Sequence, residues 1–306
     1  MIKTKTTFIV GAGASHAYGL PLGIHLRNQA VSTDMLPSGD LYQLLHYGLS
    51  FSVDLLNEWR DDLSRYPGGS IDEFLFNRQE RADFQSVGKA VIAGQMARAI
   101  NGLPKPSPNW IEIVVDRMAA GAANLDQFIR GNTGVEFVTF NFDSLIQQRI
   151  GANLARRFVT DSTEDALAHI IPVHHVHGRL PPAPTGNFGV DTIRGPKPDW
   201  VEWLKAASAS VRVVYEPVED SHLEAIRTVI SRSDVVVCLG WAYHPENLRK
   251  LKISEILNSG AKSVFGSAYN VDGTSRDWIA KQFNRNITLD PGDCQTVLRD
   301  FPWYQD

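Results

Sequence analysis

The stretch Phe8–Pro21, FIVGAGASHAYGLP, sets a short apolar run against a turn that holds Gly11 and Gly13, with Gly19 and Pro21 following. An apolar run that breaks at glycines and then opens a helical pattern reads as a buried parallel strand entering a βα turn. Glycine there lets the backbone turn tightly and approach a phosphate, whose charge a helix N-terminus favours. The same pattern also serves βα turns that hold no ligand, so the remaining polar clusters must decide what the turn does.

Further runs rich in β-branched residues predict strands at Thr7–Val10, Val135–Phe140, Val211–Tyr215, Val235–Leu239 and Ser263–Phe265, with a weaker one at Ile170–Val176. Helical patterns follow most of them, at Leu20–Val31, Ser144–Ile150, Leu223–Ser231, Pro245–Leu257 and Arg276–Phe283. Strand, turn and helix repeated in this way predict an α/β fold, a Rossmann-like doubly wound parallel sheet. Ligands of such sheets bind at the carboxyl ends of the strands. Between Asp40 and Gly134 the pattern is helical, at Leu41–Arg60, Ile71–Asn101 and Asn109–Arg130, with RYPGGS and GLPKPSPN as turns. The expectation is a core of 1–39 and 134–306 with a helical insertion, 40–133, as lid or small helical domain. Gly178–Trp200 is proline-rich and reads as a long loop near the site.

Composition narrows the partners. A net charge of −4, with 30 basic and 34 acidic residues and no long Lys/Arg run, gives no footprint for nucleic acid. No segment approaches the roughly 20 apolar residues that span a bilayer, so a membrane role is set aside. The N-terminal apolar run stops at Gly11, too short for a secretory signal, and the chain is expected to keep Met1. Two cysteines, Cys238 and Cys294, can build neither a disulfide framework nor a four-cysteine zinc site, which fits a reducing cytoplasm.

Three polar clusters stand at predicted strand ends. In VEFVTFNFDSLIQ a strand runs into Asn141 and Asp143, which either cap the next helix or serve a site. In IIPVHHVHGRL, His174, His175 and His177 precede Gly178; alternation along a strand puts His175 and His177 on one face and His174 on the other. With no further ligand nearby, one functional imidazole is the stronger reading and a metal the weaker. In DVVVCLGWAYHPENLRKL, Gly240 admits a close ligand, and Trp241 or Tyr243 either covers an adenine or ribose or fills the core. A dinucleotide fingerprint also wants an acidic residue at the next strand end about 20 residues on; Asp34 has that spacing but lies in STDMLPSGD, which is no strand end.

These residues resemble the sirtuins, and more closely their prokaryotic sirtuin-like NAD-consuming relatives. GAGASHAYGLP is similar to the sirtuin glycine motif, which places Gly11, Ala12, Gly13, Ser15, Gly19 and Pro21 at the dinucleotide. TFNFD resembles the family's Thr-x-Asn-x-Asp motif, at Thr139, Asn141 and Asp143, and VHG its histidine-glycine pair, at His177 and Gly178. CLGWAYHPEN is similar to the adenosine-holding strand and loop, with Gly240, Tyr243 and Asn247, and SIDEFL resembles a helix start common in that branch. Deacylating sirtuins follow the glycine turn with Asp-Phe-Arg and carry a four-cysteine zinc ribbon; here Leu22, Gly23 and Ile24 follow and the cysteines are too few.

The resemblance therefore implies an NAD site without a zinc ribbon. It implies Asn141, Asp143 and His177 as catalytic residues, NAD as substrate, no metal, and a hydrolase that releases nicotinamide and ADP-ribose. It also implies control, by a homo-oligomer or a separate sensor or regulatory protein, and a role in bacterial anti-phage defence. Two alternatives stay open: a non-catalytic NAD- or ADP-ribose-binding subunit of a larger complex, and an ADP-ribosyltransferase.

Overall fold

The computed structural model describes residues 1–102, 109–186, 188–191, 195–258 and 262–303. The chain forms two compact units, one of Met1–Tyr18, Pro106–Val176 and Val218–Asp306 and one of Gly19–Lys105 and His177–Pro217.

The first unit is built on a six-stranded sheet. Its strands are β1 (Thr6–Val10), β2 (Val135–Thr139), β3 (Val173–His175), β4 (Val235–Leu239), β5 (Ser263–Ser267) and β6 (Thr288–Asp290). Every pairing is parallel and the order is β3-β2-β1-β4-β5-β6. That order is the doubly wound Rossmann arrangement, and its topological switch point lies between β1 and β4. Thr6 faces Val135 on one side and Val235 on the other, so β1 is central and all five of its residues are buried.

Alternation along these strands feeds two helical layers. Ile9, Val138, Val236, Cys238 and Val264 share a buried cluster with Leu223, Ile226 and Ile230 of helix Asp220–Ser231, Leu248 and Leu251 of Pro245–Leu251, and Ile279 of Gly273–Gln282. Phe8 and Phe137, at alternate positions, stack on each other at 5.0 Å, and Phe137 meets Trp110 of helix Trp110–Ala119 at 6.5 Å. The predicted helix Pro245–Leu257 is broken at Lys252, which is left-handed (φ 50°) between Pro245–Leu251 and Ile253–Asn258.

The second unit is helical. Helix Ala82–Asn101 is its longest, with Phe84, Val87, Val91, Ala93 and Ala97 among its buried residues. Around it lie Gly23–Gln29, Ala30–Asp34, Asp40–Gln43, Leu44–Gly48, Val53–Arg65, Ile71–Phe76 and Pro198–Ser210. RYPGGS is a turn as expected, and Ser70 caps the next helix by accepting from the Glu73 N–H at 3.2 Å. Asp34 is a packing residue here: its carboxylate is buried with Gln95 (2.9 Å) and Arg98.

Four expectations are corrected. Val211–Tyr215 is no strand: it follows helix Pro198–Ser210, and the N–H groups of Val211, Arg212, Val213 and Val214 go to Ala207, His177, Glu216 and Asp72 instead of a ladder. A strand at Thr288–Asp290, unforeseen, pairs with β5 and forms the edge of the sheet as β6. The helical unit is not 40–133. Residues 19–39 belong to it, while Trp110–Ala119 and Leu125–Gly131 belong to the sheet unit. The cause is bonding at chain positions far apart: the Trp110 indole donates to Ala14 O at 2.9 Å, and Asn132 accepts from Ile2 N at 3.0 Å. Gly178–Trp200 is not wholly irregular, since Val190–Asp191 pairs antiparallel with Gly195–Pro196 and a helix starts at Pro198. Residues 103–108 of GLPKPSPN and residues 187 and 192–194 of the proline-rich stretch lie outside the described residues.

Candidate active site

The glycine turn leaves β1 at Gly11 and enters a five-residue helix, Ala12–His16. Its glycines are required by the neighbouring strand's exit. The Gly11 N–H donates to Leu239 O at 3.0 Å and the Gly13 N–H to Gly240 O at 2.9 Å, which ties the turns after β1 and β4 together at the switch point. A Cβ on Gly11 would stand 2.7 Å from Gly240 O, and one on Gly13 2.9 Å from the same atom. Gly240 is left-handed (φ 55°), and a Cβ there would fall 1.9 Å from Ala14 N. The glycines thus bring two backbones together, a role the sequence did not separate from ligand approach. Of the first three N–H groups of the turn, that of Ala12 meets no acceptor among the described residues.

Beside this crossing, the second motif folds onto the first. The β2 strand ends at Thr139, whose hydroxyl accepts from the Asn141 N–H at 3.1 Å and so turns the chain over the strand end. The Asn141 side-chain amide donates to Gly11 O at 3.1 Å and to Ser15 Oγ at 2.9 Å. Ser15 in turn donates to Asp143 Oδ2 at 3.0 Å, and Asp143 Oδ1 accepts from the Leu145 N–H at 3.0 Å. Because a carbonyl only accepts, the bond to Gly11 O fixes the Asn141 amide orientation. Its side-chain oxygen then has no hydrogen-bond partner among the described residues.

Asp143 thus uses both oxygens: one accepts from the first N–H of helix Leu145–Arg157 and the other holds Ser15. Burial pushes its carboxyl above the usual aspartate range, against the pull of the Leu145 and Ser15 donors. Ser15, Thr139, Asn141 and Asp143 are all buried, so each hydrogen bond acts in a medium of low dielectric.

The histidines take three separate places. His174 points to Glu136 at 2.7 Å, and Glu136 also pairs with Arg232. His175 bonds the Asn141 main-chain oxygen at 2.9 Å. His177 is the first residue of the second unit, where it is buried and its carbonyl accepts from the Arg212 N–H at 3.0 Å. Gly178 beside it is left-handed (φ 87°), and a Cβ there would meet Ser210 O at 2.1 Å. Gly19 and Pro21 also fall in the second unit, ahead of helix Gly23–Gln29.

Of the third cluster, Gly240 stands at the crossing, while Tyr243 is core: it is 1% exposed, donates to Ser267 O at 3.1 Å and packs on Trp241 and Phe283. Asn247 is buried in the first turn of helix Pro245–Leu251, its N–H donating to His244 O. Both thiols are free and buried. Burial raises Cys238, and pushes Cys294 up to about 12. Among the described residues no three His, Cys, Asp or Glu side chains gather as metal ligands would. Nor is any described helix long and apolar enough to cross a membrane.

One supporting network carried no motif. Tyr18, at the end of the glycine turn, donates to Glu112 at 2.9 Å and accepts from the Ile111 N–H at 2.9 Å. Glu112 pairs with Arg149 on the helix that follows Asp143, at 2.7 Å. This buried ion pair clamps the glycine turn to the Asn141–Asp143 segment, and its members lie too far apart in sequence for any local pattern to reveal them.

No family model matches the chain, and no curated protein matches it. Sir2 proteins are among the solved structures similar to it. A Sir2 homolog–NAD complex is 15% identical, covering 96% of this chain and 87% of that one, with a TM-score of 0.42. A mutant Sir2 homologue with ADP-ribose is 14% identical, covering 96% and 89%, with a TM-score of 0.46. Sir2Tm bound to a propionylated peptide is 13% identical, covering 96% and 90%, with a TM-score of 0.43.

Proposed function

We propose that this chain binds NAD at the carboxyl ends of β1, β2 and β4 and hydrolyses its nicotinamide–ribose bond. One observation carries the reading. Ser15, Asn141 and Asp143 come from two motifs far apart in sequence, and they meet in one buried hydrogen-bonded cluster beside the switch point of a Rossmann sheet. Helix capping accounts for one oxygen of Asp143 and for nothing of Asn141.

The chemistry asks for little acid catalysis, because nicotinamide leaves from a cationic nitrogen as a neutral molecule. It asks for orientation and for stabilisation of the positive charge that builds on the ribose. The Asn141 side-chain oxygen, with no hydrogen-bond partner among the described residues, is the acceptor for a ribose hydroxyl or the attacking water. The amide cannot rotate away without breaking its bonds to Gly11 and Ser15. Asp143, held by Ser15 and the Leu145 N–H, places negative potential beside the developing cation and accepts from the nicotinamide carboxamide. Water adds its oxygen to the anomeric carbon as the C–N bond breaks. Its proton passes to His177, the base that the histidine-glycine motif assigns, and then to solvent. The turn before Ser15 contributes the Ala12 N–H to the pyrophosphate.

Such an enzyme would exhaust its cell's NAD, so the proposal includes control by self-association or by a separate sensor protein, in the cytoplasm of a cell under phage attack. The test is nicotinamide release from NAD by the purified chain, with Asn141→Ala and His177→Ala beside it. Release that falls at least 100-fold in both variants supports the site, and unchanged release in both removes it. NAD that is bound but never cleaved gives the chain to the binding-subunit reading. ADP-ribose found on an acceptor makes it a transferase.

A further inference from the structure

Asn141 is held from behind by a side chain that no motif assigns. His175, the last residue of β3, lies opposite Thr139 in the β2–β3 register, and its ring reaches past the strand end to the Asn141 main-chain oxygen, 2.9 Å from Nδ1. A carbonyl cannot donate, so Nδ1 carries the proton. The other ring nitrogen lies 2.8 Å from Gln147 Nε2, on the first turns of helix Leu145–Arg157. With Nδ1 protonated, the neutral ring accepts there and Gln147 donates. The main chain of His175 is held too: its carbonyl oxygen is 2.9 Å from His222 Nε2, on helix Asp220–Ser231, which must be the donor.

This arrangement has a cost that points to a purpose. With its NH2 turned to the imidazole, the buried Gln147 Oε1 has no hydrogen-bond partner among the described residues. A buried acceptor left unsatisfied calls for an explanation. Turning the amide over would aim Oε1 at the lone pair of His175 Nε2, so the NH2 donated to Nε2, at the cost of the orphaned oxygen, is what favours the Nδ1–H tautomer. That tautomer is the neutral form that can hold Asn141 O.

We propose that His175 is a positioning residue for Asn141, with Gln147 setting its tautomer and His222 fixing its backbone, an inference that rests on the hydrolase reading above. His175 touches no substrate. It fixes the peptide from which the Asn141 side chain departs, and misplacement of a reacting group by about 1 Å is enough to lose a hundredfold in rate.

The experiment compares His175→Leu with His175→Asn. The asparagine side-chain nitrogen occupies the place of Nδ1 and donates in the same direction, whereas leucine donates nothing. Steady-state NAD cleavage is expected to show kcat lowered about 10- to 100-fold in His175→Leu with KM changed less than about threefold, and kcat within about threefold of wild type in His175→Asn. Equal losses in both variants, or none in His175→Leu, overturn the proposal. A second measurement does not depend on turnover: two-dimensional 15N–1H NMR of labelled imidazoles reads the His175 tautomer, and the Asn141 13C′ shift reads its hydrogen bond. Nδ1–H with a 13C′ shift that moves in His175→Leu and returns in His175→Asn is the expected result. An Nε2–H tautomer refutes the positioning role even in an active enzyme. The expected NMR result in a protein that never cleaves NAD refutes the hydrolase reading and leaves the positioning of Asn141 in place.

Discussion

Replacing Gly240 by alanine tests the crossing on which the whole site stands. The residue is left-handed, and the added Cβ would lie 1.9 Å from Ala14 N and 2.5 Å from Gly13 C, both backbone atoms that no rotamer change can move. A left-handed L-residue costs roughly 1–2 kcal/mol. Relief of the overlap must separate the turns after β1 and β4, which gives up the bonds Gly11 N–Leu239 O and Gly13 N–Gly240 O at about 1 kcal/mol each. The expected loss is therefore about 3–4 kcal/mol, out of the roughly 5–15 kcal/mol that a folded protein has in all. Gly11→Ala and Gly13→Ala need no special backbone angle and meet Gly240 O at 2.7 and 2.9 Å, so their losses are smaller and fall in that order. Thermal unfolding followed by tryptophan fluorescence suits the site, because Trp241 beside it stacks on Phe140 at 5.2 Å. A fall in Tm of ~5–12 °C is expected for Gly240→Ala. A Tm within about 2 °C of wild type, or Gly13→Ala as the least stable of the three, would refute the close backbone approach as the reason for these glycines.

Other outcomes follow from the same geometry. Burial raises the Asp143 carboxyl, so the stability that its protonated form contributes is present at acid pH and lost as pH rises through its raised pKa. Asp143→Asn removes that loss: its Tm should exceed that of wild type near pH 7, the gap closing toward pH 4, while NAD cleavage falls; a gap independent of pH counts against it. Glu112→Leu leaves Arg149 buried without its partner and should destabilise the sheet unit by about 3–5 kcal/mol in urea unfolding, whereas Glu112→Leu with Arg149→Met should recover most of it. If the double variant is as unstable as the single, the ion pair is not what clamps the turn. Tyr18→Phe removes the donor to Glu112 and the acceptor of the Ile111 N–H, and should cost about 1–3 kcal/mol by the same measurement.

The sheet was legible where its strands are central. β1, β2 and β4 are buried on both faces and so read as mainly apolar, β-branched runs, each followed by a turn. Thr288–Asp290 is a three-residue edge strand, too short to leave a period. Val211–Tyr215 misled for the opposite reason. Val211 and Val213 are buried, but Asp72 and Glu216 side chains accept from the segment's backbone, and side-chain partners leave no mark on local hydrophobic pattern. The unit boundaries were hidden because the bonds that tie Trp110 to Ala14 and Asn132 to Ile2 join residues about a hundred or more positions apart in the chain.

Of the proposed site, Asn141 and Asp143 could be named because they follow a strand end, whereas Ser15 was named only through the resemblance of GAGAS to the sirtuin glycine motif. The structural duty of Gly11 and Gly13 could not be named, since it depends on Gly240, more than two hundred residues away in the chain. Nor could the sequence assign His175, whose partner at the site is a main-chain oxygen, an atom every residue supplies.

The central claim meets its most direct test in one incubation of the purified chain with NAD, the products separated and weighed against each other over time. Nicotinamide and ADP-ribose appearing in equal amounts, with Asn141→Ala bound to NAD yet inactive, is the result expected. NAD recovered intact from a folded protein that binds it would contradict hydrolysis, and leave the Ser15–Asn141–Asp143 cluster as a binding site alone.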